Sequence, residues 1–205
     1  MEDFSPAAEQ MYLSKNPTKV IKYDDFLTFQ TLNVGVGANF SQILTNSISR
    51  VRKLVGIPMI SGSFNQAGTA GFINPMASPF TSCPGTTARN AITNFNVLLS
   101  GSNLYQANYN YGWEQFIQEL RKTNSINGGS SMGLTSGLIS QTDFEHGYRF
   151  LVSDLSRTPG ESSDNVAKSL QVVGTNSGLL PIDVIWLVFY EREIQIDIQT
   201  GTLIA

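Results

Sequence analysis

The sequence LLPIDVIWLVFYEREIQIDI, at residues 179–198, is the longest β-rich run in the chain and decides the predicted fold. From Ile182 to Tyr190 both sets of alternating positions are apolar apart from Asp183, as is typical of a strand buried on both faces. After Tyr190, isoleucines alternate with Glu, Gln and Asp, which indicates a strand with one solvent-exposed face. We predict two successive strands. The first has one face in a sandwich core and the other against a neighbouring subunit or a helix at residues 111–122.

The composition indicates a globular protein with an unusually weakly charged surface. The chain has 205 residues, of which 41% are hydrophobic and 14% are charged, whereas about 25% of residues are charged in an average protein. Such a surface suits a protein that packs against copies of itself. The net charge of −3 does not favour a protein built to neutralise nucleic acid. Cys83 is the only cysteine, so an intrachain disulfide is excluded.

No targeting or membrane-spanning segment is predicted. The first residues, MEDFSPAAEQ, lack a basic region followed by an apolar region, so we expect no signal peptide. No segment approaches the roughly 18 consecutive apolar residues that a transmembrane helix needs.

The rest of the chain predicts strands separated by turn-rich loops. Further strand-like segments lie at residues 19–36, 47–60, 92–100, 103–107, 148–155 and 166–173. One helix is predicted at residues 111–122, where apolar residues recur at helical spacing, and SQTD at residues 140–143 resembles a capping box. The long loop at residues 61–91 contains Phe72 and Phe80. Because a solvated linker would contain fewer aromatic residues, we expect this loop to be packed against another surface.

These segments predict an all-β fold: an antiparallel, eight-stranded jelly-roll sandwich with one or two short helices in long loops. Residues 19–205 are predicted to form this single domain. Residues 1–18 are predicted to be an extended N-terminal arm, either poorly ordered or lying on a neighbouring subunit with Met11 and Tyr12 among its anchors.

The candidate nucleophiles lack the surroundings that catalysis needs. Ser131 lies in a G-x-S-x-G match, but it has no strand before it and no helix after it. His146 is the only histidine, so a zinc site built on several histidines is excluded. Cys83 has no basic neighbour nearer than Arg89 to lower its pKa.

Two further clusters of charge have structural explanations. Glu191 and Glu193 share a strand face, as a glycosidase pair would, but they mark the point where the strand leaves the core. Arg50, Arg52 and Lys53 form the only basic cluster, a candidate site for phosphate or an acidic neighbour and more commonly a solvated face. We therefore predict no enzymatic activity, no cofactor, no metal site and no direct binding of nucleic acid.

Three segments resemble the double-jelly-roll major capsid lineage of eukaryotic DNA viruses, virophages and Polinton-type elements. They are NFNVLLSGSNLYQANYNYGWEQFIQEL at residues 94–120, GLTSGLISQTDFEHGYRFLVSDLSR at residues 133–157, and VIWLVFYEREIQIDIQTG at residues 184–201. Members of that lineage carry two jelly rolls in a longer chain, and 205 residues hold one. The resemblance implies a structural capsid protein that self-assembles into trimeric capsomers and an icosahedral shell, with the virion capsid as its location and the host cell as the place of assembly.

The resemblance and the apolar patterns together give a set of proposed assembly contacts with copies of the same chain and with other capsid proteins. They are Trp186, Leu187, Phe189, Phe72, Phe80, Met11 and Tyr12. The alternative is a glycan- or receptor-binding module of the same fold, with Trp113, Tyr105, Tyr109 and Tyr111 as stacking residues.

Overall fold

The computed structural model describes residues 6–15, 17–61, 92–122, 140–146, 150–156, 166–178, 181–198 and 200–204. The helices are α1 (Pro6–Lys15), α2 (Trp113–Lys122) and α3 (Gln141–His146). The strands are β1 (Thr18–Val34), β2 (Asn39–Ile48), β3 (Val51–Ile60), β4 (Ile92–Leu99), β5 (Ser102–Asn103), β6 (Leu151–Asp154), β7 (Lys168–Asn176), β8 (Ile182–Asp197) and β9 (Leu203–Ile204).

Strands β1 to β8 form two sheets with the connectivity of a jelly roll. The first sheet has the order β1-β8-β3-β6, with the short β9 added to β8, and the second has the order β2-β7-β4-β5. From β1 to β8, successive strands therefore alternate between the two sheets, except where β4 and β5 form a hairpin. Strand β3 pairs antiparallel with β6 and β8, and strand β7 pairs antiparallel with β2 and β4. The predicted eight-stranded jelly-roll sandwich is confirmed.

Aromatic rings from both sheets meet in the core. The Trp186 side chain of β8 has no exposed surface, and its ring stacks on Phe95 of β4 with centroids 6.4 Å apart. Phe40 of β2 packs on the same indole at 6.3 Å. Gly56 of β3 lies opposite Trp186, and Gly174 of β7 lies opposite Phe40, so each aromatic ring covers a glycine on the neighbouring strand.

The chain divides into two compact units, Phe26–Tyr190 and a smaller one made of Met1–Asp25 and Glu191–Ala205. The larger unit contains the aromatic core. In the smaller unit, Glu191 forms an ion pair with Lys22 at 3.6 Å, and Arg192 donates to Asp25 at 3.1 Å.

Three local predictions need correction. The segment Pro6–Lys15 is helical, whereas we predicted an extended arm. The one or two helices predicted in loops correspond to α2 and α3. Strand β2 was not predicted, because polar Gln42 and Asn46 interrupt the alternation of its buried residues and two register shifts interrupt its pairing. Residues 182–197 form one strand, although the predicted change in burial after Tyr190 is present within it.

Candidate interaction surface

The outer face of the first sheet, which points away from the aromatic core, carries apolar side chains on its two central strands. The register pairs Val55 with Leu187 and Ile57 with Ile185, while the alternating residues between them point into the core. Phe189 continues this line on β8, opposite Lys53. We call Val55, Ile57, Ile185, Leu187 and Phe189 the outer apolar row. All five are half-buried.

Two neighbours cover Phe189 at the end of the outer apolar row. Phe26 of β1 packs against its ring with centroids 5.6 Å apart. The Lys53 ammonium lies 4.6 Å from the centroid of the same ring, a cation–π geometry. Lys53 is buried, and the register places buried Asp154 directly opposite it on β6. A positive charge in this position is compensated within the sheet.

This position of Lys53 corrects the predicted basic patch. Arg50 and Arg52 are half-exposed, but Lys53 is buried and does not extend a cationic surface. Arg50 adopts a positive φ of 52° at the turn between β2 and β3, so it does not lie in one regular strand with Arg52.

The outer face of the second sheet carries polar side chains that are bonded across its strands, although apolar Ile43 on β2 is exposed by 56%. The Thr175 hydroxyl donates to Asn39 Oδ1 at 2.6 Å and accepts from Asn94 Nδ2 at 3.2 Å, which joins strands β2, β7 and β4. Gln171 Nε2 donates to the Ser41 hydroxyl at 2.8 Å. Such cross-strand pairs satisfy polar groups at a wet surface. The two outer faces of the sandwich therefore differ in their cross-strand hydrogen bonds, although both carry apolar side chains.

The structure places the proposed assembly contacts in three different environments. Leu187 and Phe189 lie in the outer apolar row, and Met11 and Tyr12 of α1 are exposed. Trp186 points into the core, where its Nε1 donates to Thr31 Oγ1 at 2.8 Å, so it is an interior residue and not a surface one. Phe72 and Phe80 lie outside the described residues.

Helix α2 lies along β6, the end strand of the first sheet and two strands away from β8. The Tyr111 hydroxyl, just before the helix, donates to the Val152 carbonyl at 2.7 Å and accepts from the Val152 N–H at 2.6 Å. The Asp154 N–H donates to the fully buried Glu119 at 2.9 Å. These side chains occupy backbone groups that would otherwise be open on an edge strand.

We predicted a surface of exposed aromatic residues for stacking on a ligand, and this prediction is wrong. Tyr105 and Tyr111 are buried, with the Tyr105 hydroxyl donating to Ser153 at 2.8 Å. Burial raises the pKa of Tyr111 well above its ordinary value, and nearby Tyr105 adds to the increase. Trp113 is half-buried against Phe116, and Tyr109 remains exposed. These aromatics belong mainly to the core and to the cover of β6.

The sequence did not lead us to predict that Tyr111 and Glu119 bond to the edge of a strand. A glutamate on the buried face of an amphipathic helix was the available signal, because Glu119 lies between apolar Phe116 and Leu120. A buried carboxylate requires hydrogen-bond donors from another element. Its partner on β6 is 35 residues away in sequence and could not be inferred from a local pattern.

The candidate catalytic residues are not assembled into a site in the part of the chain that the structure describes. Glu191 pairs with Lys22, and Glu193 is exposed. Ser131 and Cys83 lie outside the described residues, as does the side chain of His146 at the end of α3. Within the described ranges, no three His, Cys, Asp or Glu residues are grouped so as to hold a metal ion. None of the described helices has the length and apolar character needed to cross a bilayer.

Comparisons with known proteins give structural matches only. No protein-family model matches the sequence, and no curated protein matches it. VP54 of PBCV-1, fitted into a cryo-EM reconstruction of the virophage Sputnik, matches over 98% of this chain and 55% of its own, with 12% identity and a TM-score of 0.46. A chain from a cryo-EM structure of the Sputnik virophage matches over 92% of this chain and 39% of its own, with 15% identity and a TM-score of 0.47.

This chain therefore spans about half or less of the length of these two matched chains.

Proposed function

We propose that this chain is a structural coat protein of a virion, which self-assembles into capsomers and an icosahedral shell. The outer apolar row on the two central strands of its first sheet carries the proposal. One face has polar cross-strand hydrogen bonds, and the other has the outer apolar row on its two central strands. The sequence resemblance to jelly-roll capsid proteins supports the same function.

The outer apolar row supplies a driving force for association. Each square ångström of apolar surface that leaves water contributes about 25 cal/mol. The half-exposed aliphatic side chains of Val55, Ile57, Ile185 and Leu187 offer such area on neighbouring strands. The apolar surface lies on rigid central strands, so little conformational entropy is lost when a partner covers it.

The partners in this proposal are copies of the same chain and other capsid proteins. Leu187 and Phe189 are contacts on the sandwich, and exposed Met11 and Tyr12 are contacts on α1. Phe72 and Phe80 of the long loop are further proposed contacts. Arg50 and Arg52 are the remaining candidates for an anionic partner, and nucleic acid is not the proposed one.

A pair of matched variants tests the proposal. Leu187→Asp introduces a charge in the outer apolar row, and Val173→Asp introduces the same charge on the outer face of the second sheet, where the valine is also half-buried. We expect wild type and Val173→Asp to sediment as multimers, whereas Leu187→Asp sediments as a smaller species with an unchanged circular dichroism spectrum. Loss of assembly in both variants, or in neither, would contradict the role of the outer apolar row.

A further inference from the structure

Gln42 is a polar residue at an inward-facing position of β2. Its neighbours on the same face of the strand, Phe40 and Leu44, are core residues with 6% and 5% of their surface exposed. Gln42 itself is half-buried. An amide in such a position needs hydrogen-bond partners, because its removal from water is otherwise unfavourable. The amide finds them on β1, in the other sheet.

The Gln42 amide continues a line of hydrogen bonds that runs from the core to the backbone of β1. Trp186 Nε1 donates to Thr31 Oγ1 at 2.8 Å, and the Thr31 hydroxyl donates to Gln42 Oε1. At the other end of the amide, Gln42 Nε2 donates to the Gln30 carbonyl at 2.9 Å. The oxygen and the nitrogen of this amide are therefore bonded to two consecutive residues of β1.

The Gln30 carbonyl belongs to an end strand of the first sheet, and Gln42 belongs to an end strand of the second. The Gln42 side chain therefore occupies a backbone acceptor on a strand that has a strand neighbour on one side only. Strand β6, at the opposite end of the first sheet, is bonded in the same manner by Tyr111 and Glu119. Cover of this kind is one means by which proteins prevent edge-to-edge pairing.

The β1 segment beside Gln42 has the composition of a strand that pairs readily between chains. Residues 26–32 read FLTFQTL, with no charge, no proline and no glycine. Segments of six or seven residues with high β-propensity and low charge are prone to form cross-β structure. Lysines, which commonly oppose such pairing on an edge strand, are absent from residues 26–49. Protection of this segment has to come from another element, and Gln42 is placed to supply it.

We propose that Gln42 prevents residues 26–32 of β1 from pairing with the same segment in other copies of this chain. Its bonds to the Gln30 carbonyl and the Thr31 hydroxyl hold β1 against the second sheet and remove a backbone acceptor from strand pairing. The inference goes beyond the proposed function, because it concerns a contact that the fold excludes and not one that the assembly makes.

A leucine at position 42 tests the proposal. Gln42→Leu removes both hydrogen bonds and keeps a side chain of similar size on the inward face. Gln171→Leu is the matched control, because Gln171 is also half-buried in the second sheet but donates to Ser41 of β2. Incubated with thioflavin T, which reports cross-β fibrils, Gln42→Leu should show a shorter lag than wild type and Gln171→Leu. Equal lags for the two variants would overturn the proposal.

A lysine on β1 distinguishes edge pairing from a general loss of stability. In the Gln42→Leu background, we expect Leu32→Lys to restore the lag of wild type, because a lysine on an edge strand opposes pairing. Val166→Lys adds the same charge outside the strands and should not restore it. Leu32 and Val166 are similarly exposed, by 54% and 58%. Restoration by both lysines, or by neither, would contradict protection of this edge.

A second substitution at position 42 covers the case in which leucine disturbs the fold. Gln42→Asn keeps the amide but shortens the side chain by one methylene, so its nitrogen no longer reaches the Gln30 carbonyl. The near-UV circular dichroism of buried Trp186 reports whether the core of the variant is native. We expect natively folded Gln42→Asn to show a shorter lag than wild type, and an unchanged lag would overturn the proposal.

The outcomes are distinct from those that test the proposed function. A monomeric wild type would contradict self-assembly, whereas the lag times of the variants decide the role of Gln42. In the wild-type background, Leu32→Lys should leave the mass of the assembly unchanged, because the protected edge takes no part in it. A reduced mass for natively folded Leu32→Lys would show that the edge does take part and would overturn the inference.

Discussion

Gly56 lies directly opposite Trp186 across β3 and β8, and a Cβ atom at Gly56 would meet Cζ3 of the indole ring at 2.5 Å. The ring is fully buried between the sheets and has no room to move aside. We expect Gly56→Ala to lower the free energy of unfolding by about 1–3 kcal/mol, measured by urea denaturation. Gly35→Ala is the control, because the nearest atom would be 3.9 Å away. Equal losses in the two variants would contradict a specific fit between Gly56 and the indole.

The Tyr111 hydroxyl should be necessary for the stability of the β6 edge. Tyr111→Phe leaves the buried Val152 N–H and carbonyl without this partner. We expect a loss of about 1–3 kcal/mol for each unsatisfied group, again by urea denaturation. Tyr109→Phe removes a hydroxyl from an exposed ring of the same type and should change stability by less than about 0.5 kcal/mol. A similar small effect at Tyr111 would show that the two hydrogen bonds contribute little.

The raised pKa of Tyr111 predicts a loss of stability in alkali. The folded state favours the neutral phenol, so the contribution is fully present below the unfolded pKa of about 10 and is lost as the pH rises through the higher folded pKa. We expect the unfolding free energy of wild type to fall more steeply above about pH 10 than that of Tyr111→Phe. Parallel curves for the two proteins would contradict a proton-linked role for Tyr111.

The hydrogen bond between Glu119 and β6 should contribute more to the stability of the fold than the ion pair between Glu119 and Lys122. Glu119→Ala removes the acceptor of the Asp154 N–H, and we expect a loss of about 1–3 kcal/mol. Lys122 pairs with the same carboxylate at 3.2 Å, but its side chain is 42% exposed, so Lys122→Ala should cost at most about 1 kcal/mol. Thermal denaturation of the two variants compares these contributions. A larger effect for Lys122→Ala would assign the stabilisation to the ion pair.

Local patterns predicted the elements whose burial follows a simple period. The alternation from Ile182 to Val188 correctly placed Ile182, Val184 and Trp186 on one face, and that face lies in the core. The spacing of Phe116 and Leu120 correctly predicted α2. In both segments the apolar residues alone report which face is buried, although Trp186 and Glu119 also form hydrogen bonds with residues 155 and 35 positions away.

The remaining errors come from polar groups that are satisfied by distant partners. Gln42 interrupts the alternation of β2, and its side chain bonds to Gln30 and Thr31 of β1. Tyr105 and Tyr111 looked like surface aromatics, but their hydroxyls bond to residues 48 and 41 positions away. Such pairings depend on the completed topology, so a local sequence pattern does not contain them.

Self-assembly is tested most directly by the mass of the purified wild-type chain, measured by light scattering across a wide range of concentration. We expect particles that contain several copies of the chain and that dissociate only on strong dilution. A single monomeric species at every concentration would contradict the proposal that this jelly roll is a coat protein.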